Sequence, residues 1–149
     1  MKHAFRSLVL ASALALSAAG VQASLKFNSV AEPALLYDTP SAQGRKLFII
    51  SPGTPVEVVV ELDQWVKVRD PSGSINWIQR SALRKERTVM VTVDQAAARI
   101  SPDTGSGISF EATRSVVLDL VSEAGNGWIQ VRHQNGTVGY LRVTEVWGL

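Results

Sequence analysis

The chain has 149 residues, no cysteine, and 15 lysines and arginines against 13 acidic residues. The absence of cysteine excludes disulfides, thiolate metal sites and cysteine nucleophiles. Lys2 and Arg6 lie in a predicted export segment, and without them 13 basic residues face 13 acidic ones. A module of near-zero net charge has no electrostatic footprint for nucleic acid or for an anionic membrane. We therefore expect no nucleic-acid partner.

Residues 1–23 have the pattern of a signal peptide. A short basic stretch, Met1–Arg6, precedes an uncharged run from Ser7 to Gly20, and Val21-Gln22-Ala23 has the small residues of a cleavage site. This run of 14 residues is too short to cross a hydrocarbon core of roughly 30 Å, which disfavours the alternative of a membrane anchor. We predict cleavage after Ala23, a periplasmic location, and no stable membrane insertion afterwards.

The rest of the chain contains the same pattern twice. Trp65-Val66-Lys67-Val68-Arg69 returns as Trp128-Ile129-Gln130-Val131-Arg132, 63 residues later. Tyr37-Asp38-Thr39-Pro40 faces Arg99-Ile100-Ser101-Pro102 at an offset of 62. Two copies predict two domains, at 24–84 and 85–149. The charged run Arg84–Arg87 is the predicted linker, and it is too short for domains that tumble independently.

Each copy has the patterning of β-strands. Val56–Val60 and Trp65–Val68 alternate with period two and are rich in β-branched residues. Pro71-Ser72-Gly73 and Asn135-Gly136 are turn signals that join strands into hairpins. About five short strands in some 60 residues are too few for a sandwich, but they can close into a small barrel.

These motifs resemble the bacterial SH3 domain family. In the first copy the resemblance rests on Leu36–Ser41, Gly53–Val58, Trp65–Arg69 and Trp77-Ile78, and in the second mainly on Gly127–Leu141. It implies an all-β fold of two tandem small SH3-like β-barrels that act as an envelope interaction module. It implies no reaction.

Two departures from the family pattern are visible. Asn76 stands where the family usually has glycine, so we expect an altered turn before Trp77. Arg99 replaces the aromatic residue seen at Tyr37, so the two copies need not bind the same ligand.

The sequence offers no catalytic constellation. His133, the single histidine after residue 23, lies in a predicted turn, where a solvated side chain is expected rather than the oriented base of a triad. Glu57 and Glu61 could share one strand face, as glycosidase carboxylates do, but we interpret them as solvated, opposite a core of Val56, Val58 and Val60. We predict no enzymatic activity, no cofactor and no metal.

Matching arginines end equivalent strands of the two copies. Arg69 and Arg132 each close the Trp-containing strand. A structural role at the base of the hairpin is favoured over contact with a ligand carboxylate, because exposed arginine pairs usually contribute little.

Aromatic side chains remain as candidates for binding. Val66 and Val68 share one face of a strand and Trp65 lies on the other, so a valine core places Trp65 outside. Three aromatic residues in copy one, against two in copy two, favour copy one as the main binding barrel, with Trp65 as its anchor. The candidate ligand-binding residues are the following rings: Tyr37, Trp65, Trp77, Trp128 and Tyr140.

Two functions therefore stay open. The first is a non-catalytic periplasmic or envelope binding module that recognises a protein or a peptidoglycan-derived peptide through an aromatic groove. The alternative is a structural adaptor whose aromatic residues form the interface between the two barrels, a reading that the short linker favours.

Overall fold

A computed structural model describes residues 24–149. The predicted signal peptide lies outside the described residues. These residues form two seven-stranded antiparallel sheets and two single-turn 3₁₀ helices, which confirms the predicted all-β fold of two tandem units.

The first sheet contains the strands of the first copy. They are β1 (Phe27–Val30), β2 (Ala34–Tyr37), β3 (Lys46–Ile50), β4 (Pro55–Glu61), β5 (Trp65–Arg69), β6 (Ile75–Gln79) and β7 (Leu83–Arg84). The second sheet contains β8 (Thr88–Val91), β9 (Gln95–Arg99), β10 (Ile108–Thr113), β11 (Val117–Gly125), β12 (Trp128–Arg132), β13 (Val138–Arg142) and β14 (Val146–Trp147). The 3₁₀ turns, Arg80–Ala82 and Val143–Glu145, each precede the last strand of their sheet.

The two sheets have the same topology. The strand order is β3-β2-β6-β5-β4-β1-β7 in the first and β10-β9-β13-β12-β11-β8-β14 in the second. Each sheet curls around its own apolar core. The first core includes Val66, Val68 and Ile78, and the second includes Ile129 and Val131. The inward positions predicted from strand alternation in β5, Val66 and Val68, are thus confirmed.

One part of the predicted core is wrong. Val56 is buried and Val58 is half-buried, but Val60 is exposed. The pairing of β4 with β5 shifts between Val58 and Val60, a β-bulge that inserts one extra residue. Because side chains alternate with period two, this insertion turns Val60 to the outer face.

The expectation that Glu57 is solvated is also wrong. Glu57 is buried, and its carboxylate accepts a hydrogen bond of 3.0 Å from Arg69 Nη1. Arg69 therefore has the structural role expected at the base of its hairpin.

The two barrels contact each other through one ring pair and several hydrogen bonds. The rings of Phe27 and Trp147 meet edge-to-face with their centroids 5.0 Å apart. Thr88 Oγ1 donates a hydrogen bond of 2.6 Å to the carbonyl of Gly53, and Ser29 Oγ donates one of 2.6 Å to the carbonyl of Glu86 in the linker. The barrels are thus joined by a ring pair and by side-chain-to-backbone hydrogen bonds.

Asn76, which stands where the family usually has glycine, lies within a strand at the edge of the core and not in a turn. Asn76 is a buried residue within β6, and Gly139 is its counterpart in β13. A Cβ on Gly139 would lie 3.1 Å from Cε1 of Phe110, which packs over that glycine. In the first barrel the equivalent ring, Phe48, is 61% exposed. The phenylalanine that packs over the glycine in the second barrel thus has an exposed counterpart in the first, where asparagine stands in place of the glycine.

Candidate functional site

A groove on the first barrel has Trp65 in its wall. Its volume is about 640 Å³. The wall is formed by three segments, which are the loop after β2, the turn between β4 and β5, and the end of β6 with the 3₁₀ turn. The lining residues are Pro40, Ser41, Ala42, Gln43, Asp63, Gln64, Trp65, Gln79, Arg80 and Ser81. Apart from Trp65 the lining is mostly small or polar, so the groove offers one large apolar surface surrounded by hydrogen-bonding groups.

The position of Trp65 follows from the alternation along β5. Val66 and Val68 are buried, so Trp65 and Lys67 lie on the outer face, where both are half-buried. The Trp65 ring contacts the buried ring of Tyr37 edge-to-face, with centroids 5.1 Å apart. This edge-to-face contact with Tyr37 fixes the orientation of the Trp65 ring.

Arg80 fixes one end of the groove. Its Nε donates a hydrogen bond of 2.8 Å to the carbonyl of Asp63 and its Nη2 one of 2.5 Å to the carbonyl of Leu62. Glu61 forms ion pairs with Arg80 and with Lys26. The hydrogen bond from Lys26 is the main reason that the pKa of the Glu61 carboxyl lies below its ordinary value; desolvation opposes it, and the positive charges of Lys26 and Arg80 add to it. The turn at this end of the groove is thus held by hydrogen bonds and charge pairs.

Trp77 lies outside this groove. It pairs with Lys67 on the neighbouring strand and with Tyr37 of β2, and the Lys67 ammonium lies 5.5 Å from its ring centroid. The structure therefore brings Tyr37 and Trp65 together, and it places Trp77 farther along the outer face of the same sheet.

The second barrel covers its equivalent tryptophan. Trp128 is only 7% exposed, and the Arg142 guanidinium lies 4.8 Å from its ring centroid. Trp128 pairs with Arg142 in the sheet register, as Trp65 pairs with Gln79 in the first barrel. The cavity beside Trp128 has about 300 Å³. Gln79 against Arg142 is thus one difference at equivalent positions that accompanies an open ring in the first barrel and a covered ring in the second.

Tyr140 has a different environment from Trp77, its counterpart. It is half-buried, and its hydroxyl oxygen accepts a hydrogen bond of 3.2 Å from Gln130 Nε2. Tyr140 pairs with Arg99, whose Nη1 donates a hydrogen bond of 3.0 Å to the carbonyl of Ser106. The second barrel therefore has an arginine where Tyr37 supports the groove in the first.

His133, which was considered above as a possible catalytic base, contacts other residues of its own barrel. The His133 ring packs 5.6 Å from the ring of Phe110, and its Nδ1 accepts a hydrogen bond of 3.3 Å from the Asn135 N–H. Among residues 24–149, no group of three or more histidine and acidic side chains is placed to hold a metal ion. In the same part of the chain no helix has the length and hydropathy needed to cross a bilayer.

Sequence reasoning missed two features of these surfaces. The first is the ring pair between the barrels, Phe27 and Trp147, which lie outside the repeated motifs. The second is the Arg142 cover, for which a signal was present, since Gln79 and Arg142 both follow their tryptophan by 14 residues.

Comparison with solved structures finds proteins of larger size. NlpC1 and NlpC2 from Trichomonas vaginalis share 15% and 13% sequence identity with this chain, each with a TM-score of 0.37. The alignments cover 91% and 83% of this chain, and 50% and 48% of those proteins. An NlpC/P60 family protein from Bacillus cereus shares 19% identity with a TM-score of 0.35, over 82% of this chain and 56% of that one. The chain thus spans about half the length of each.

A comparison with curated protein sequences finds no match. The model of the bacterial SH3 domain matches the chain twice, over residues 30–85 and 92–148. Each range covers one copy of the repeat and six strands of one sheet, and begins at the end of the first strand, β1, or just after it, β8. The chain therefore belongs to the bacterial SH3 domain family, with two such domains in tandem.

Proposed function

We propose that the protein is a non-catalytic binding module of the periplasm or cell envelope, whose first barrel recognises a protein or a cell-wall peptide in the groove beside Trp65. One observation carries this proposal. The Trp65 ring borders an open groove of about 640 Å³, whereas the Trp128 ring is covered by Arg142. The first barrel is therefore the main binding unit, and Trp65 is its anchor.

The composition of the groove supports a peptide as the ligand. SH3-type grooves hold extended chains against aromatic side chains, and nearby polar groups bind the backbone of the ligand. Here Trp65 supplies the apolar contact, and Ser41, Gln43 and Gln79 supply hydroxyl and amide groups beside it. A large aromatic anchor of this kind carries much of the binding energy of an interface.

The alternative function, a structural adaptor, requires the candidate aromatic residues at the interface between the barrels. The ring pair that joins the barrels is instead Phe27 with Trp147. Tyr37 and Trp65 contact each other, and Trp77 contacts Lys67 of its own sheet. These contacts favour the groove over the adaptor, because they leave the outer face of Trp65 available to a ligand.

The location follows from the pattern of residues 1–23, which is that of a cleaved signal peptide. We assign no reaction to the protein. His133 packs on Phe110 and accepts a backbone hydrogen bond, so it is not placed as the base of a nucleophilic site.

Photo-cross-linking in an envelope extract tests the groove. A photoreactive residue at Gln43, on the rim of the groove, should capture a partner, and purified muropeptides should compete if the ligand is a cell-wall peptide. Trp65→Ala should abolish capture, whereas the matched Trp128→Ala should reduce it little.

A melting curve recorded beside the capture separates the two functions. Trp65→Ala should cost less than about 3 kcal/mol, because this half-buried ring loses one edge-to-face pair, about 0.5–1.5 kcal/mol, and only part of its apolar burial. A loss of about 3–5 kcal/mol, as for a buried tryptophan, would instead show that Trp65 is a packing residue and would reject the groove.

A further inference from the structure

A second polar cleft lies between the barrels, away from the groove beside Trp65. Its volume is about 300 Å³, and its lining contains three arginines together with two acidic residues. The lining residues are Arg84, Glu86, Arg87, Asp119, Leu120 and Arg132. Among residues 24–149, no carboxylate lies within 4.0 Å of a side-chain nitrogen of these three arginines. The cleft thus presents guanidinium groups that no close ion pair neutralises.

Comparison of the two barrels shows why Arg132 is free. In the first barrel Glu57 and Arg69 pair across β4 and β5 and form an ion pair of 3.0 Å. The equivalent pair across β11 and β12 is Asp119 with Arg132. Aspartate is one methylene shorter than glutamate, and in the second barrel no ion pair forms. The second barrel thus has the arginine, but the side chain of Asp119 is too short to pair with it.

The other two arginines are held in place. Arg84 Nε donates a hydrogen bond of 2.9 Å to Ser29 Oγ. Arg87 Nη2 donates one of 2.7 Å to the carbonyl of Gly148, and its guanidinium carbon lies 5.7 Å from the ring centroid of Phe27. Arg87 Nε is buried and has no hydrogen-bond partner within the described residues. Because this atom is buried, a ligand in the cleft meets the other nitrogens of the Arg87 guanidinium rather than Nε.

We infer that this cleft is an anion-binding site, formed by Arg84, Arg87 and Arg132, for a ligand that carries a phosphate or carboxylate group. Guanidinium groups bind these oxyanions through paired, charge-assisted hydrogen bonds. Two of the three groups are already fixed, so the ligand orders only Arg132. Glu86 and Asp119 reduce the positive charge of the cleft, and we expect dissociation constants in the millimolar range for a small anion. The inference is independent of the groove on the first barrel.

Nuclear magnetic resonance titration of the purified protein tests this site with two probes, inorganic phosphate and acetate, at constant ionic strength. The Nε–H resonance of Arg87 should shift with a saturable dependence on at least one probe, since its burial slows exchange with water. The probe that binds more tightly identifies phosphate or carboxylate as the preferred group.

Three variants separate a site from general charge screening. Arg132→Gln should weaken binding by about tenfold or more, the loss expected for a charge-assisted hydrogen bond. Asp119→Glu keeps the net charge and should weaken binding similarly, because the longer side chain pairs with Arg132 as Glu57 pairs with Arg69. Arg45→Gln removes one charge far from the cleft and should leave the affinity unchanged.

Several results would overturn the proposal. Shifts that rise linearly with both anions, or that Arg45→Gln reduces as much as Arg132→Gln does, would indicate nonspecific screening. An unshifted Arg87 resonance with both probes would show that the anion does not bind beside this guanidinium. Unchanged affinity in Asp119→Glu, in a protein with wild-type melting behaviour, would contradict the role of Arg132.

Discussion

Replacement of Gly139 by alanine perturbs a point at which the two barrels differ in packing. Gly139 lies in the middle of β13, with φ outside the left-handed region. An added Cβ would lie 2.8 Å from the Ala98 Cβ, 3.1 Å from Phe110 Cε1 and 3.3 Å from the Arg99 carbonyl oxygen. The first distance is far below ordinary van der Waals contact, so a neighbouring group has to move.

Two effects of opposite sign set the magnitude. A glycine-to-alanine change in an allowed conformation stabilises a protein by about 0.4–1 kcal/mol, because the unfolded chain loses entropy. Overpacking of a tight core costs about 1–3 kcal/mol. The cost is larger, so Gly139→Ala should lower the free energy of unfolding by about 0.5–2 kcal/mol.

Urea unfolding measures this loss in the free energy of unfolding. The NMR shifts of the His133 ring show whether Phe110 has moved. Because Phe110 packs against His133, displacement of Phe110 should change the chemical shifts of the imidazole protons. Gly105→Ala is the matched control, since its nearest neighbour atom would lie 3.7 Å away, and it should stay within about 0.5 kcal/mol of wild type. A Gly139→Ala protein as stable as wild type, with unchanged His133 shifts, would refute the packing argument.

Three further predictions concern the groove, the interface and an exposed charge cluster. Gln79→Arg should copy the covered ring of the second barrel onto Trp65, raising the free energy of unfolding by about 0.5–1 kcal/mol. A ligand would have to displace that arginine, so isothermal titration should give an affinity about two- to fivefold lower, and unchanged affinity would count against the cover. Trp147→Ala should cost about 1–3 kcal/mol in urea unfolding because this half-buried ring joins the barrels; wild-type stability would contradict that. The depressed pKa of Glu61 means that its contribution to stability is present above the unfolded pKa and is lost as the pH falls through the folded pKa. Lys26→Ala should raise that pKa in a carboxyl NMR titration, and an unchanged midpoint would show that Lys26 is not its main cause.

The fold could be predicted because its determinants are local and repeated. Alternation in β5 depends on neighbouring residues, so it correctly placed Val66 and Val68 inside and Trp65 outside. The repeat then identified equivalent strands without knowledge of their pairing. The inward position that alternation predicts for Val60 was wrong, because a β-bulge inserts an extra residue there and no turn signal in the sequence marks it.

The site could be predicted only in part, because its state depends on side chains from other strands. The exposure of a tryptophan on the outer face depends on side chains from other strands, among them the residue paired with it across the sheet, Gln79 or Arg142. The contact of Phe27 with Trp147 joins opposite ends of the described chain. Such contacts require the sheet register and the docking of the barrels, which composition and periodicity do not provide.

The most direct test of the central claim is a titration of the ¹⁵N-labelled protein with purified muropeptides and with the partner captured at the groove, observed at the indole N–H resonances of its tryptophans. If the first barrel is the binding unit, the Trp65 indole should shift saturably with one of these ligands. The Trp128 indole, covered by Arg142, should then remain in place. A saturable shift at Trp128 with none at Trp65 would contradict the account.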